Sequence, residues 1–215
     1  VACKDWLTNK VDRSVTGKIA RQQCQGELQL PLSDCGVVAL DYRGKHGIAT
    51  SIGHAPQAAL IDPAKGSVLA IAEALTNISG ALLKEGIKSV SLSANWMWPC
   101  KNSGEDARLY DAVQACSDFA CELGINIPTG KDSLSMTQKY GENKVYAPGT
   151  VIISAAGEVR NIRRVSSPVL KHKSSKLIYI NFSKDALKLG GSAFAQALNR
   201  IGHDAPTVTD AAYFA

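Results

Sequence analysis

Apolar positions return at the three-to-four-residue period of a helix in two long stretches of the chain. In the first, Val68, Leu69, Ala72, Leu75 and Leu82 share one side. Asp62 suits the N-cap, Pro63 the first helical position and Gly86 the close, so the pattern predicts a helix from Asp62 to about Glu85. In the second, Leu109, Val113, Cys116, Phe119 and Ala120 predict a helix over Glu105–Leu123, ended by Gly124. Between and around them lie strand signals. Val37–Tyr42 precedes a glycine turn at Gly44–Gly47, and Ile48–Ile52 reads as its antiparallel partner. Val90–Ala94 predicts a buried strand followed by a Trp- and Pro-containing loop, Asn95–Ser103. Ile125–Pro128 reads as a short strand feeding a loop at Thr129–Ser133, and Thr150–Ala156 as another strand. Residues 1–33 read as loop and short segments. Asn161–Lys173 is a basic connector, after which Leu177–Ile180 and a helix over Ala193–Arg200, led by Gly190-Gly191-Ser192, open a second unit. A domain boundary is therefore expected between residues 160 and 175.

Composition changes this picture little. The 215 residues are 45% hydrophobic and 20% charged, ordinary for a chain that buries a substantial core. No apolar stretch is long enough to span a bilayer, and no secretory leader is evident. The first residue is Val1 and the last stretch lacks a helix stop, so both ends read as cut from a longer polypeptide. The net charge of +5 is mild, and aromatics make up only 6%. A nucleic-acid binder would carry a basic stripe interleaved with exposed aromatics. The basic residues here cluster at Arg160–Arg164 and Lys171–Lys173, which reads as a solvated connector; no nucleic-acid partner is expected. Six cysteines show no CxxC pairing, and a reducing cytoplasm is the expected setting.

Three segments carry candidate chemistry. Glu73 and Asn77 stand four residues apart on the first predicted helix, so their oxygens rise from one face. A carboxylate and an amide oxygen suit a hard cation such as magnesium, and Asp34 offers a second carboxylate from another element. Hydrogen bonds from Glu73 and Asn77 to a neighbouring loop are the commoner use of such a spacing. Thr129–Met136 places Gly130, Lys131 and Ser133 where backbone amides, a cation and a hydroxyl would meet phosphate, although the Walker A spacing is absent and a hairpin turn is the default. Arg13, in a polar run ending at Gly17, has the fork geometry for phosphate. The loop after the buried strand holds Asn95 between small residues and two tryptophans able to wall a base or ribose. The four histidines are scattered, and no catalytic nucleophile emerges.

Taken together, several segments resemble phosphoribosylformylglycinamidine synthase in its large, single-chain form. They are Val11–Gly17, Leu30–Cys35, Leu60–Pro63, Glu73–Asn77, Ser91–Met97, Gly104–Asp106 and Gly130–Met136, in the family's order. The resemblance implies an α/β (α+β) fold, an aminoimidazole ribonucleotide synthetase-like N-terminal domain with a mixed or antiparallel sheet and packed helices. That domain would cover residues 1–165, with residues 166–215 a linker and the truncated start of a C-terminal domain. It implies ligands of ATP or ADP, Mg2+ and a phosphoribosyl substrate. The family's metal ligands fall on Asp34, Glu73 and Asn77. Nucleotide contacts fall on Ser33, where the family commonly has Ala, and on Gly130 and Ser133, with Asn95 and Arg13 as further contacts. The roles of Lys131 and Asp132 stay open.

The family's reaction joins formylglycinamide ribonucleotide, glutamine and ATP to give formylglycinamidine ribonucleotide, glutamate, ADP and phosphate. The glutaminase cysteine and the first synthetase half of the family are not in this chain. The resemblance therefore implies an internal piece of the second synthetase half, inactive alone, that holds an auxiliary ADP–magnesium site and works with the remaining domains. A homodimer would substitute for the missing pseudo-symmetric half. The alternative is a stand-alone, non-catalytic nucleotide-binding or scaffold module.

Overall fold

Strand β5 (Gly47–His54) inverts the usual rule for a half-buried strand. Its inward positions are the small residues Gly47, Ala49, Ser51 and Gly53, whereas Ile48 and Ile52 point outward and are 43% and 56% exposed. Small residues on the inner face let another backbone come close. In the computed structural model, which describes residues 6–7, 17–170 and 174–215, that close approach is made by helix α2 (Pro63–Ile78). A Cβ on Gly53 would collide with Ala70 O and Ala74 N of that helix. Arg13 and Lys171–Lys173 lie outside the described residues.

Strand β1 (Ile19–Arg21) pairs antiparallel with β4 (Cys35–Ala39), and β4 pairs antiparallel with β5 in a register running from Cys35↔Ser51 to Ala39↔Gly47. Strand β7 (Val90–Met97) pairs in parallel with β8 (Asn126–Ser133). With β11 (Thr150–Val159), these form one mixed six-stranded sheet in the order β1-β4-β5-β11-β7-β8. Two small ribbons stand apart from it: β2 (Cys24–Gln25) with β3 (Leu30–Pro31), and β9 (Thr137–Tyr140) with β10 (Asn143–Tyr146). The remaining elements are a short helix α1 (Pro56–Ile61), strand β6 (Lys84–Ile87), helix α3 (Glu105–Leu123), and two short helices, α4 (Ala193–Ala197) and α5 (Ala211–Phe214).

Contacts divide the chain into two compact units that alternate along the sequence. The first comprises residues 1–52, 75–90 and 155–180, and buries Cys24, Val37, Ile78, Val90 and Val159. The second comprises residues 53–74, 91–154 and 181–215. It closes over Trp98, Ile71, Leu92, Val151 and Ile153, with Phe119, Phe214 and Phe182 meeting edge to face.

The two long helices form where the periodicity places them. Asp62 Oδ1 accepts the amide of Lys65 at 3.0 Å, the N-cap bond expected of it. Helix α3 spans Glu105–Leu123, and Gly124 follows in the left-handed conformation at φ 67°. Helix α2 ends seven residues before the expected Glu85. Ser79 turns both its hydroxyl and its amide back onto Thr76 O, at 2.7 and 3.2 Å, and Gly80 follows. Serine that bonds locally to the backbone competes with the helical ladder, and glycine gives it no support.

Two further expectations give way. Thr129–Ser133, expected as a loop, is the second half of β8, because it finds a parallel partner in Ser93–Met97. Leu177–Ile180, an apolar run expected to open a second unit, has no regular structure. These residues are 85, 80, 81 and 58% exposed, and no strand among the described residues pairs with them. A β-propensity run without a ladder does not make a strand. Among the described residues no helix is long and apolar enough to cross a membrane.

The contact between β5 and α2 makes a direct prediction. Gly53→Ala places a methyl against helix backbone that cannot rotate away, and overpacking of this kind costs ~1–3 kcal/mol. Thermal unfolding should show a lower Tm for this variant, whereas Gly86→Ala, which meets nothing within 4 Å but sits at φ 62°, should lose less.

Candidate functional site

In the first unit, the end of α2 and the start of β4 frame a cavity of about 230 Å³. Ser33 and Asp34 enter from the segment before β4, and Thr76, Asn77, Ser79 and Gly80 from the last turn of α2 and the residues after it. Ser33 is held by its amide, which donates to Gln23 O at 3.1 Å. Its hydroxyl is buried and has no hydrogen-bond partner among the described residues. Asp34 is exposed at the rim. The opposite wall is the segment Ser166–Pro168, pinned by Ser166 N donating to Gly80 O at 2.8 Å, while Arg21 Nη2 donates to Val165 O at 2.8 Å. Burial raises the Cys35 thiol above its ordinary pKa, Arg21 opposes the rise and Asp34 adds to it. The lining thus brings the side-chain oxygens of Ser33, Asp34, Thr76, Asn77, Ser79 and the two serines Ser166 and Ser167 around one cation, Arg21.

The two expected helix ligands are used differently. Asn77 Nδ2 donates to Ile52 O at 2.9 Å, which fixes the amide so that Oδ1 is its acceptor end. Glu73 Oε2 accepts the His54 amide at 2.5 Å, and Glu73 belongs to the second unit. Both side chains therefore bond strand backbone, the commoner use weighed from their spacing. Asp34 and Asn77 share the cavity in the first unit. Among the described residues no group of three or more His, Cys, Asp and Glu stands together.

The remaining expected residues sit on β7 and β8. The parallel register sets Asn95 beside Lys131, Ala94 beside Gly130 and Met97 beside Ser133. Alternation then puts Asn95, Lys131 and Ser133 on one face of the ribbon and Gly130 with Asp132 on the other. Asn95 Oδ1 is buried without a hydrogen-bond partner among the described residues. Ser133 O accepts Trp98 N at 2.9 Å, so its backbone is structural. Gly130 is needed for close strand pairing, since a Cβ there would meet Ala94 O at 2.7 Å. The other face, with Ala94 and Trp96, opens into a 340 Å³ cavity against α3 that holds Cys116. Burial pushes the Cys116 thiol up to about 12, which removes it as a nucleophile near neutral pH.

Arg21, Thr76, Gly80, Ser166 and Ser167 were not singled out from the sequence, yet they line the first cavity. A hydroxyl pair just before Pro168, at the foot of a basic run, was the available signal.

The mixed sheet with flanking helices defines the fold class. A PurLQS structure from Thermotoga maritima superposes with a TM-score of 0.60 at 17% identity, covering 78% of this chain and 25% of that one. A Thermotoga maritima PurL structure complexed with ADP gives a TM-score of 0.57 at 17% identity, with the same coverage. The fold is PurM-like α/β. Residues 3–158 match the FGAR-AT PurM_N-like domain, and the chain belongs to that family. Curated relatives agree. It is similar to phosphoribosylformylglycinamidine synthase of Homo sapiens (44% identical over 96% of the chain) and of Drosophila melanogaster (43% over 97%). The chain spans about 16% of the length of these relatives.

The ties to β5 can be weighed by substitution. Asn77→Ala removes one side-chain-to-backbone hydrogen bond and should lower stability by about 1 kcal/mol. Glu73→Gln keeps an acceptor for His54 N and should cost less than Glu73→Ala. Chemical denaturation midpoints, compared at unchanged slope, measure this order.

Proposed function

We propose that this chain is a nucleotide-binding domain of an ATP-dependent ligase. That ligase would convert formylglycinamide ribonucleotide, glutamine and ATP to formylglycinamidine ribonucleotide, glutamate, ADP and phosphate in cytoplasmic purine synthesis. The supporting observation is the single cavity that gathers Ser33, Asp34 and Asn77 in a chain of the FGAR-AT PurM_N-like family. At about 230 Å³ it lies below the ~300–1,000 Å³ of whole-ligand sites, so it suits the diphosphate end of a nucleotide rather than its base.

The donor set fits magnesium. Asp34 offers a carboxylate and Asn77 an amide oxygen, hard donors of the kind Mg2+ takes one or two at a time while phosphate oxygens and water fill the remainder. Glu73, one turn earlier on α2, is the third ligand implied by the family resemblance. A bound magnesium ion would neutralise the charge of a diphosphate. Asp34 and Asn77 would orient it, and Arg21 stands at the edge to meet the outer phosphate oxygens. Asn95, Gly130 and Ser133 are the contacts proposed for the substrate phosphate and ribose, and Arg13 is proposed as a further phosphate contact.

No catalytic residue is assigned to this chain. The nucleotide is read as auxiliary, with turnover depending on the other domains of a longer enzyme. The proposed division is a synthetase-like domain over residues 1–165 and the start of a C-terminal domain over residues 166–215. A second copy is the proposed stand-in for the pseudo-symmetric half.

Calorimetric titration with ADP tests the site. Binding should need Mg2+, vanish on chelation, and weaken at least tenfold in Asp34→Asn. Equal affinity in wild type and Asp34→Asn, with and without the ion, would sink the assignment.

A further inference from the structure

We propose that Ser166 is a phosphorylation site for a serine/threonine protein kinase that reads arginines, and that phosphate there closes the cavity to Mg–ADP. The first half stands on sequence and exposure; the second rests on the nucleotide reading above.

The local sequence is Arg163-Arg164-Val165-Ser166-Ser167-Pro168. Arginines two and three residues before a serine are a charge pattern that acidic kinase surfaces can grip, since guanidinium pairs carboxylate through a planar fork. The structure leaves these arginines available. Arg163 and Arg164 lie in a 3-10 turn (Ile162–Arg164), both are exposed, and neither makes an ion pair among the described residues. The chain leaves the turn extended, with Val165 at φ −75° and ψ 129°, and Val165–Ser167 carry no regular structure. Short extended segments of this kind are the form in which a kinase cleft takes its substrate.

Two adjacent serines compete for the modification, and the structure separates them. Ser167 is half-buried, and its hydroxyl accepts the Val169 amide at 3.3 Å. Ser166 is exposed; its backbone amide donates to Gly80 O, and among the described residues its hydroxyl makes no hydrogen bond. The Ser166 hydroxyl is therefore the one open to transfer, although Ser167 is the serine followed by proline. In the transfer, Ser166 Oγ forms a bond to the γ-phosphorus of ATP as the bond to the β–γ bridging oxygen breaks. ADP leaves, and the hydroxyl proton passes to the kinase's carboxylate base.

The consequence follows from where Ser166 sits. It lines the same cavity as Asp34 and Asn77. A phosphoserine brings a charge of about −1.5 to −2 at pH 7. Beside Asp34, in a cavity sized for a diphosphate, it fills space and repels the incoming anion.

The test uses the intact protein, treated with the catalytic subunit of an arginine-directed kinase and Mg–ATP, then freed of nucleotide. Peptide mapping by mass spectrometry should place one phosphate on Ser166. Ser166→Ala should abolish it, Ser167→Ala should retain it, and replacing Arg163 and Arg164 together by Ala should slow it at least tenfold. Phosphate on Ser167, none on either serine, or indifference to the arginines overturns the site. Calorimetry then compares the two forms. Mg–ADP affinity should fall at least tenfold on phosphorylation, and equal affinity overturns the closure. If the unmodified protein binds no ADP, the nucleotide reading fails and closure fails with it, while the mapping still decides the site.

Discussion

The structure depends on how one helix is fastened to one strand. Along a strand, alternate residues lie ~6.6 Å apart; along a helix, residues four apart lie ~6 Å apart. Ile52 and His54 on β5 therefore match Asn77 and Glu73 on α2, and each pair is joined by a hydrogen bond. The ladder from β4 ends opposite Ser51, so these side chains serve strand backbone groups just beyond it. Gly53, between the two tied residues, has no side chain to keep the helix away. Pattern, spacing and the missing Cβ all require one another.

The candidate site follows from the early end of that helix. Had α2 continued to Glu85, Ser79 and Gly80 would have been turned along a helical cylinder. Instead the chain breaks at Ile78, and Gly80 offers its carbonyl to Ser166. That bond holds the wall opposite Asp34. The cavity is the space left where a helix stops and a connector passes.

Much of this was legible in the residues, for reasons that are local. Asp62-Pro63 and Gly124 carry their own stop and start chemistry, so both long helices were found, one to the residue. The mixed α/β fold emerged from the motif order. What was missed depended on distant partners. Thr129–Ser133 is a strand only because Ser93–Met97 lies beside it, and Leu177–Ile180 is not one because no partner among the described residues does. The β9–β10 hairpin, whose few apolar positions are Tyr140, Val145 and Tyr146, had no apolar alternation to reveal it. Spacing brought Glu73 and Asn77 to one helical face but could not say that strand amides and carbonyls would claim them. Arg21 meets Val165 across 144 positions, and Ser166 meets the distant Gly80, separations that no window of sequence spans.

The outermost strand of the sheet carries one more consequence. β8 ends the strand order and is exposed along most of its length. An open edge invites strands from other molecules and, through them, aggregation. Pro128 gives such a visitor no amide to bond, and Lys131 and Asp132 would each be stripped of water, one on either side of the ribbon. Lys131 and Asp132 thus stand on the exposed last strand of the sheet order, where desolvating two charges would disfavour pairing with a further strand.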